Sequence, residues 1–333
     1  MTTMRAVAAP DGLPITDPQS LVDVGVDLPG LRPFDLLVRV QAVSVNPVDV
    51  KVRAGLGRQS EPKILGYDAA GVVEAVGRDV STFAVGDEVW YAGDITRQGS
   101  NAELQAVDSR IVSRKPASLG FTEAAALPLT TITAWEALFD RLRLNPSSQG
   151  DLVVLGGAGG VGSIMIQLAK ELTSTRVLAS AGRPESREWV TSLGAHAVVD
   201  HTNLVASVLD FAPAGVDHLF TPHSTGNVDA FAEIMKPFGE IVAIDDPEAL
   251  DLMPLKSKSI TWHWELMFTR SLFGTPDMGE QSRLLAEVAD LVNAGRVQST
   301  LTTVIEDFSA AGLREAHRLV ETGHTIGKVV VTR

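Results

Sequence analysis

The hydrophobic positions of the chain change rhythm twice. Through the first 125 residues they fall in short β-branched runs, such as 36–40, 71–76 and 87–90. Turn-forming pairs separate these runs: Arg32-Pro33, Asn46-Pro47, Gly77-Arg78 and Gly86-Asp87. Many short strands with frequent turns predict a barrel-like or sandwich-like β domain. Around Thr122 the texture shifts, because Thr122 can cap a helix that opens on Glu123 and the alanines after it. A second helix is expected over 133–143. From Asp151 onward, strands and helices alternate. Strands are expected at 152–155, 176–180, 197–199, 216–220 and 240–244, with helices at 161–172, 185–193 and 227–235. Ile164, Leu168 and Leu172 share one face of the first of these helices. Such alternation predicts a parallel sheet covered on both faces. After residues 258–264 the rhythm changes again, to a helix at 281–294, a strand near 302–305, a helix at 310–321 and a last strand at 328–332. A β-rich domain is therefore expected whose chain leaves, builds an α/β domain and returns.

Composition narrows the function. The 333 residues suit about two domains. Lys plus Arg total 28 against 41 Asp plus Glu, a formal charge of −13, which disfavours binding to a phosphate backbone and argues against a nucleic-acid partner. The cysteine count is zero, which removes disulfides, thiol nucleophiles and thiolate-held zinc or iron–sulfur clusters. Residues 1–10 carry Arg5 but no apolar core of the about 7–15 residues that a signal peptide needs. The apolar stretch 152–168 is broken by glycines, Ser163 and Gln167, too interrupted for a membrane span. A soluble, cytoplasmic protein without a membrane partner is expected.

The chemistry-bearing motif is Gly156-Gly-Ala-Gly-Gly-Val-Gly162, placed after a strand and opening a helix. Gly157, Gly159 and Gly162 satisfy G-x-G-x-x-G, the pattern in which one glycine makes the turn, one admits a pyrophosphate and one lets helix and strand pack closely. Gly160 and Val161 complete the helix N-terminus, whose free N–H groups and partial positive charge suit an anion. An NAD site needs a carboxylate about 20 residues further on, at the end of the second strand. That strand ends Ser180-Ala-Gly-Arg183, with no acid before Glu185. A guanidinium stands where it can pair with a 2′-phosphate, so the expected cofactor is NADPH, with Ser180 and Arg183 as contacts; a solvated surface role for Arg183 is the plainer alternative.

Six further stretches, together with the glycine loop, carry a resemblance. Residues 44–49 (SVNPVD), 66–71 (GYDAAG), 85–89 (VGDEV), 99–103 (GSNAE) and 125–129 (AALPL), the glycine loop and 327–330 (GKVV) occur in the order of the medium-chain dehydrogenase/reductase superfamily. The chain resembles its zinc-free quinone oxidoreductase branch, including proteins labelled zinc-type alcohol dehydrogenase-like. The resemblance implies an α/β fold in which a doubly wound Rossmann sheet is inserted into a GroES-like β-barrel domain. It places the GroES-like substrate domain at 1–128 and 271–333 and the Rossmann domain at 129–270, with substrate and nicotinamide meeting between them. It also implies a homodimer, paired through Rossmann sheets.

In zinc alcohol dehydrogenases the catalytic metal takes cysteine, histidine and cysteine at positions that match Asn46, Tyr67 and about Leu129 here. Amide, phenol and aliphatic chain do not make a zinc site, and the four-cysteine structural lobe has no counterpart in 91–104. The pairs His196/His201 and His218/His223 have the wrong spacing for a helical ligand pair, which leaves His263 with Glu265 as the nearest remnant. No metal is expected. Without a Lewis acid, reduction of a quinone or conjugated enone is easier than oxidation of an alcohol, because the carbonyl oxygen needs only hydrogen bonds as it becomes negative. Tyr67 is the first candidate donor and Asn46 the second; the alternatives are aromatic packing for Tyr67 and a turn role for Asn46. Asp49 and Arg53 are expected to brace the loop. By family position, Thr130, Thr131 and Thr133 fall near the nicotinamide, contacts are expected at 220–224, and Lys328 is a candidate cofactor contact. Trp262, Trp264 and Phe268 form an expected aromatic cluster with a substrate-wall, core or interface role. A second enzymatic reading is C=C reduction of an enoyl or haloacrylate-type acid, with Arg53 near the substrate carboxylate. A third is a non-catalytic NADPH-binding protein, a role some members of this family take in animal lenses.

Overall fold

The computed structural model describes residues 3–333 and divides the chain into two compact units. One comprises the residues up to Ile132 together with Phe268–Arg333, the other Thr133–Met267.

The first unit is mainly β. Strands Val22–Asp27, Thr3–Ala9 and Lys63–Ile64 form a three-stranded sheet in that order. A seven-stranded sheet is ordered Leu301–Ile305, Lys328–Thr332, Asp35–Val45, Asp68–Val76, Glu88–Ala92 and Val112–Arg114, with Leu104–Asp108 also pairing Asp35–Val45. The long central strand, rich in Val and Leu, buries Leu36, Val38, Val40 and Val43 against Val73, Val89, Tyr91 and, from the helix Ala310–Glu321, Leu313. Register shifts between Leu37 and Val38 and between Val40 and Ala42 bend it against Asp68–Val76. Gly71 faces Val40 there, and a Cβ on it would press into the Arg39 carbonyl oxygen. Only glycine lets the two backbones approach so closely.

The second unit carries six parallel strands: Ala197–Val199, Arg176–Ser180, Asp151–Val154, Val216–Thr221, Met235–Ala243 and Thr261–Trp264. Numbered along the chain the order is 3-2-1-4-5-6, the dinucleotide-binding arrangement. The helix Gly160–Leu172 buries Ile164, Met165 and Leu168. Among the described residues no helix is long and apolar enough to cross a membrane.

Several local expectations change. The helix expected from a Thr122 cap is Phe121–Ala125; Gly120 caps it, and its N–H donates to Glu123 Oε2 at 2.8 Å. The helix expected at 133–143 begins earlier, at Pro128, and widens into a π-helix over Glu136–Arg141. Asn46-Pro47 does not mark a simple turn. Asn46 caps the helix Pro47–Gly55, with proline at the first helical position, where its missing N–H costs nothing. A helix at Leu204–Phe211 also went unexpected, its apolar run masking the helical period.

Candidate functional site

In the first unit three neighbouring strands bring their ends together. Asn46 follows the central strand, Asp68 opens the strand on one side of it, and Lys328 opens the strand on the other. The register sets Val45 opposite Val329 and Ser44 opposite Asp68, so the three polar side chains converge. All are buried. Asn46 Nδ2 donates to Asp68 Oδ2 at 2.8 Å and to the Ser44 carbonyl at 3.3 Å, while Asn46 Oδ1 accepts from the Lys328 ammonium. Lys328 Nζ also donates to Asp68 Oδ2 at 3.1 Å and to the Val45 carbonyl at 3.5 Å. Asp68 Oδ1 accepts the Leu129 N–H at 2.7 Å.

This network bears on two expectations. Both N–H groups of the Asn46 amide are spent on protein acceptors, so it has none to offer a substrate oxygen. Lys328, expected at the cofactor, has its three N–H groups committed to Asn46, Asp68 and Val45. Asp68 was missed, although its signal is visible in the sequence: a lone carboxylate opening an apolar strand needs a buried partner, and Lys328 before three valines is its mirror image.

Asp49 braces the same loop. Its Oδ2 accepts the Asn46 N–H at 2.7 Å and its Oδ1 the Gly66 N–H at 3.1 Å. Burial, helped by the neighbouring Asp68 charge and opposed by these bonds and Lys328, pushes its carboxyl up to about 7. Arg53 is also a brace: its guanidinium is buried and donates to Glu321 and the Leu13 carbonyl.

Tyr67 lies between Gly66, held by Asp49, and Asp68. Its side chain is 0% exposed, yet its hydroxyl has no hydrogen-bond partner among the described residues. Burial, with the Asp49 and Asp94 charges adding, raises its ionisation well above the ordinary phenol range. A phenol in this state stays protonated and can donate to an oxygen that gains negative charge. The Thr131 hydroxyl is likewise buried and unpartnered, whereas Thr130 Oγ1 donates to the Leu127 carbonyl at 3.1 Å. Thr133 is buried in the second unit.

The expected aromatic cluster divides. Trp262 and Trp264 pack edge-on with centroids 5.6 Å apart, while Phe268 packs on Tyr67. The His263–Glu265 remnant also separates: His263 faces Glu240 at 3.4 Å, and Glu265 accepts from Arg141 at 2.7 Å. Among the described residues no group of three or more His, Asp or Glu side chains is arranged to hold a metal. The donor set at Asn46, Tyr67 and Leu129 does not fit zinc, which prefers thiolate and imidazole.

The second unit holds the glycine loop between the strand Asp151–Val154 and the helix Gly160–Leu172. Gly156 is left-handed, at φ +63°. A Cβ on Gly157 would lie 2.9 Å from Ala179 Cβ, and one on Gly162 would press into the Gly156 carbonyl. Gly159 caps the helix, and the first-turn amides of Gly160, Val161 and Gly162 lie beyond the reach of helical acceptors. Ser180 steadies the loop: its Oγ accepts the Gly156 N–H at 2.9 Å and its carbonyl the Gly157 N–H at 3.2 Å. Arg183 is exposed and caps the helix Pro184–Ser192, its backbone N–H donating to Ser186 Oγ at 3.1 Å. At the neighbouring strand end, Ser224 donates to Asp245 through both its N–H (2.6 Å) and its hydroxyl (2.7 Å). The loop and the anion-seeking helix end fit a dinucleotide.

Comparison with known proteins agrees with this geometry. Residues 32–131 match the alcohol dehydrogenase GroES-like domain, and residues 193–331 match a family described as zinc-binding dehydrogenase. A zinc-type alcohol dehydrogenase-like protein of Staphylococcus aureus is 42% identical over 304 residues, 89% of this chain and 90% of that protein. The chloroplastic NADPH-dependent alkenal/one oxidoreductase of Arabidopsis thaliana is 35% identical over 93% of this chain and 75% of its own length. A crystal structure from Rhizobium etli CFN 42, provisionally named a zinc-dependent alcohol dehydrogenase, superposes with a TM-score of 0.96 at 49% identity, covering 100% of this chain and 99% of that one. The chain belongs to the medium-chain dehydrogenase/reductase superfamily, in its quinone oxidoreductase-like branch, and is an oxidoreductase.

Proposed function

We propose that the protein is an NADPH-dependent reductase of quinones or conjugated enones that works without a metal. The observation that carries this reading is the buried Tyr67 hydroxyl, which has no hydrogen-bond partner among the described residues. A buried donor left unpaired costs about 1–3 kcal/mol, which a substrate oxygen would recover. Tyr67 then acts as a hydrogen-bond donor to the oxygen that gains charge, holding its proton rather than releasing it. The similarity to an alkenal/one oxidoreductase supports an activated carbonyl compound as substrate.

Gly157, Gly159, Gly160, Val161 and Gly162 would cradle the pyrophosphate, Ser180 and Arg183 the adenosine end with its 2′-phosphate. The orphaned Thr131 hydroxyl, with Thr133, would serve the nicotinamide. Bound NADPH supplies the hydride. A homodimer is part of the proposal: the edge strand Thr261–Trp264 leaves one side of the parallel sheet unpaired, with Trp264 50% exposed.

Stopped-flow loss of NADPH absorbance with a panel of quinones, enones and enoic acids tests the reading. Turnover is expected with the first two classes. Tight NADPH binding with no turnover of any acceptor would overturn it in favour of a non-catalytic role.

A further inference from the structure

We propose that the Lys328 ammonium is this chain's built-in substitute for a metal cation: fixed by Asn46 and Asp68, it supplies the positive charge that holds the strand ends around Tyr67. Asp68 is completely buried, and a buried carboxylate needs a counter-charge. Lys328 is its ion-pair partner at 3.1 Å, from a strand on the other side of the central one. The ammonium also engages Asn46, which the family resemblance matches to a zinc-ligand position. Ammonium, amide and carboxylate thus satisfy one another. A divalent ion would have to displace a charge of its own sign and accept oxygen donors alone, a poor exchange for zinc.

The consequence reaches Tyr67 through the chain. Asp68 is the next residue, and Leu129, hydrogen-bonded to Asp68, stands at another matched ligand position. Lys328 is therefore a positioning residue: it fixes Asp68, and Asp68 fixes the backbone on which the Tyr67 donor sits. This last step rests on the role proposed for Tyr67; the metal and stability readouts below do not.

The full-length protein is used throughout. After dialysis against excess zinc and removal of free ion, elemental analysis of the wild type is expected to find under about 0.1 equivalent of metal, with Tm unchanged by a chelator. Stoichiometric zinc whose removal lowers Tm would overturn the proposal. Lys328→Met is expected to lower Tm by about 10 °C, because it strands a buried carboxylate. The neutral double variant Lys328→Met/Asp68→Asn is expected to regain at least half of that loss, and remains informative should the single variant not fold. Failure of the double variant to recover stability would also overturn it. The affinity of the double variant for NADPH, followed by fluorescence titration, is expected within about threefold of wild type while kcat falls; a loss of about tenfold or more in NADPH affinity with an intact kcat would make Lys328 a cofactor contact instead.

Discussion

The ring of Phe268 meets that of Tyr67 edge-on, with centroids 5.3 Å apart and planes at 71°. Aromatic contact fixes the Tyr67 ring, while nothing among the described residues pairs with its hydroxyl. Removing that oxygen should separate stability from activity. Tyr67→Phe is expected to keep or raise Tm, since it deletes an unsatisfied buried group, and to lower kcat by about 100-fold. Thermal melts beside steady-state kinetics check both; an unchanged kcat removes Tyr67 from the chemistry.

In the proposed function Arg183 is the residue that would decide between the two dinucleotides. It follows the strand Arg176–Ser180 with no acid between them. Arg183→Ala is expected to weaken NADPH binding by about tenfold or more, the scale of one charge-assisted contact, and to leave NADH binding nearly unchanged. Calorimetric titration with both cofactors is the measurement, and equal effects would remove the assignment.

The glycine loop has no room for side chains at its close contacts. Gly162→Ala would push a methyl group into the Gly156 carbonyl and should abolish dinucleotide binding, with a loss of Tm. Gly57→Ala is the control: a Cβ there meets nothing within 4 Å, and binding should be unaffected. A Gly162→Ala protein that still bound cofactor normally would show that the loop does not hold it.

His317 makes stability depend on pH. It is buried on the helix Ala310–Glu321, and neither ring nitrogen has a hydrogen-bond partner among the described residues. Burial, with the Arg53 charge adding, pushes its imidazole down from the ordinary 6.5 to about 3. The unfolded chain therefore binds a proton that the folded protein refuses. The contribution of neutral His317 is complete above pH 6.5 and is lost as pH falls toward about 3. Over that window wild type is expected to lose up to about 1.4 kcal/mol per pH unit more than His317→Leu, read from urea melts at several pH values. Parallel profiles would assign the acid sensitivity to other groups.

The parallel sheet and its glycine loop were legible because both are written locally. Strand Arg176–Ser180 and helix Ala310–Glu321 show their periods within one element, and the glycine motif spans only residues 156–162. The helix Leu204–Phe211 was not legible, since a short, continuous apolar run fits a buried strand as well as a helix. The π-helical stretch Glu136–Arg141 has no sequence period of its own that would separate it from the α-helix it continues.

The sequence by itself determined the alternation of elements, the glycine loop and the absence of cysteine ligands, all properties of neighbouring residues or of composition. Only the tertiary structure decided which polar groups are spent and which are free to act. Asn46 and Lys328 look available as letters but are consumed by Asp68 and by each other, whereas the Tyr67 hydroxyl has no partner among the described residues. The reason is register: Lys328 and Asp68 lie 260 residues apart and meet only because their strands flank the same central strand. A hydrogen bond closes over about 3 Å, and no local pattern sets distance on that scale between remote strands.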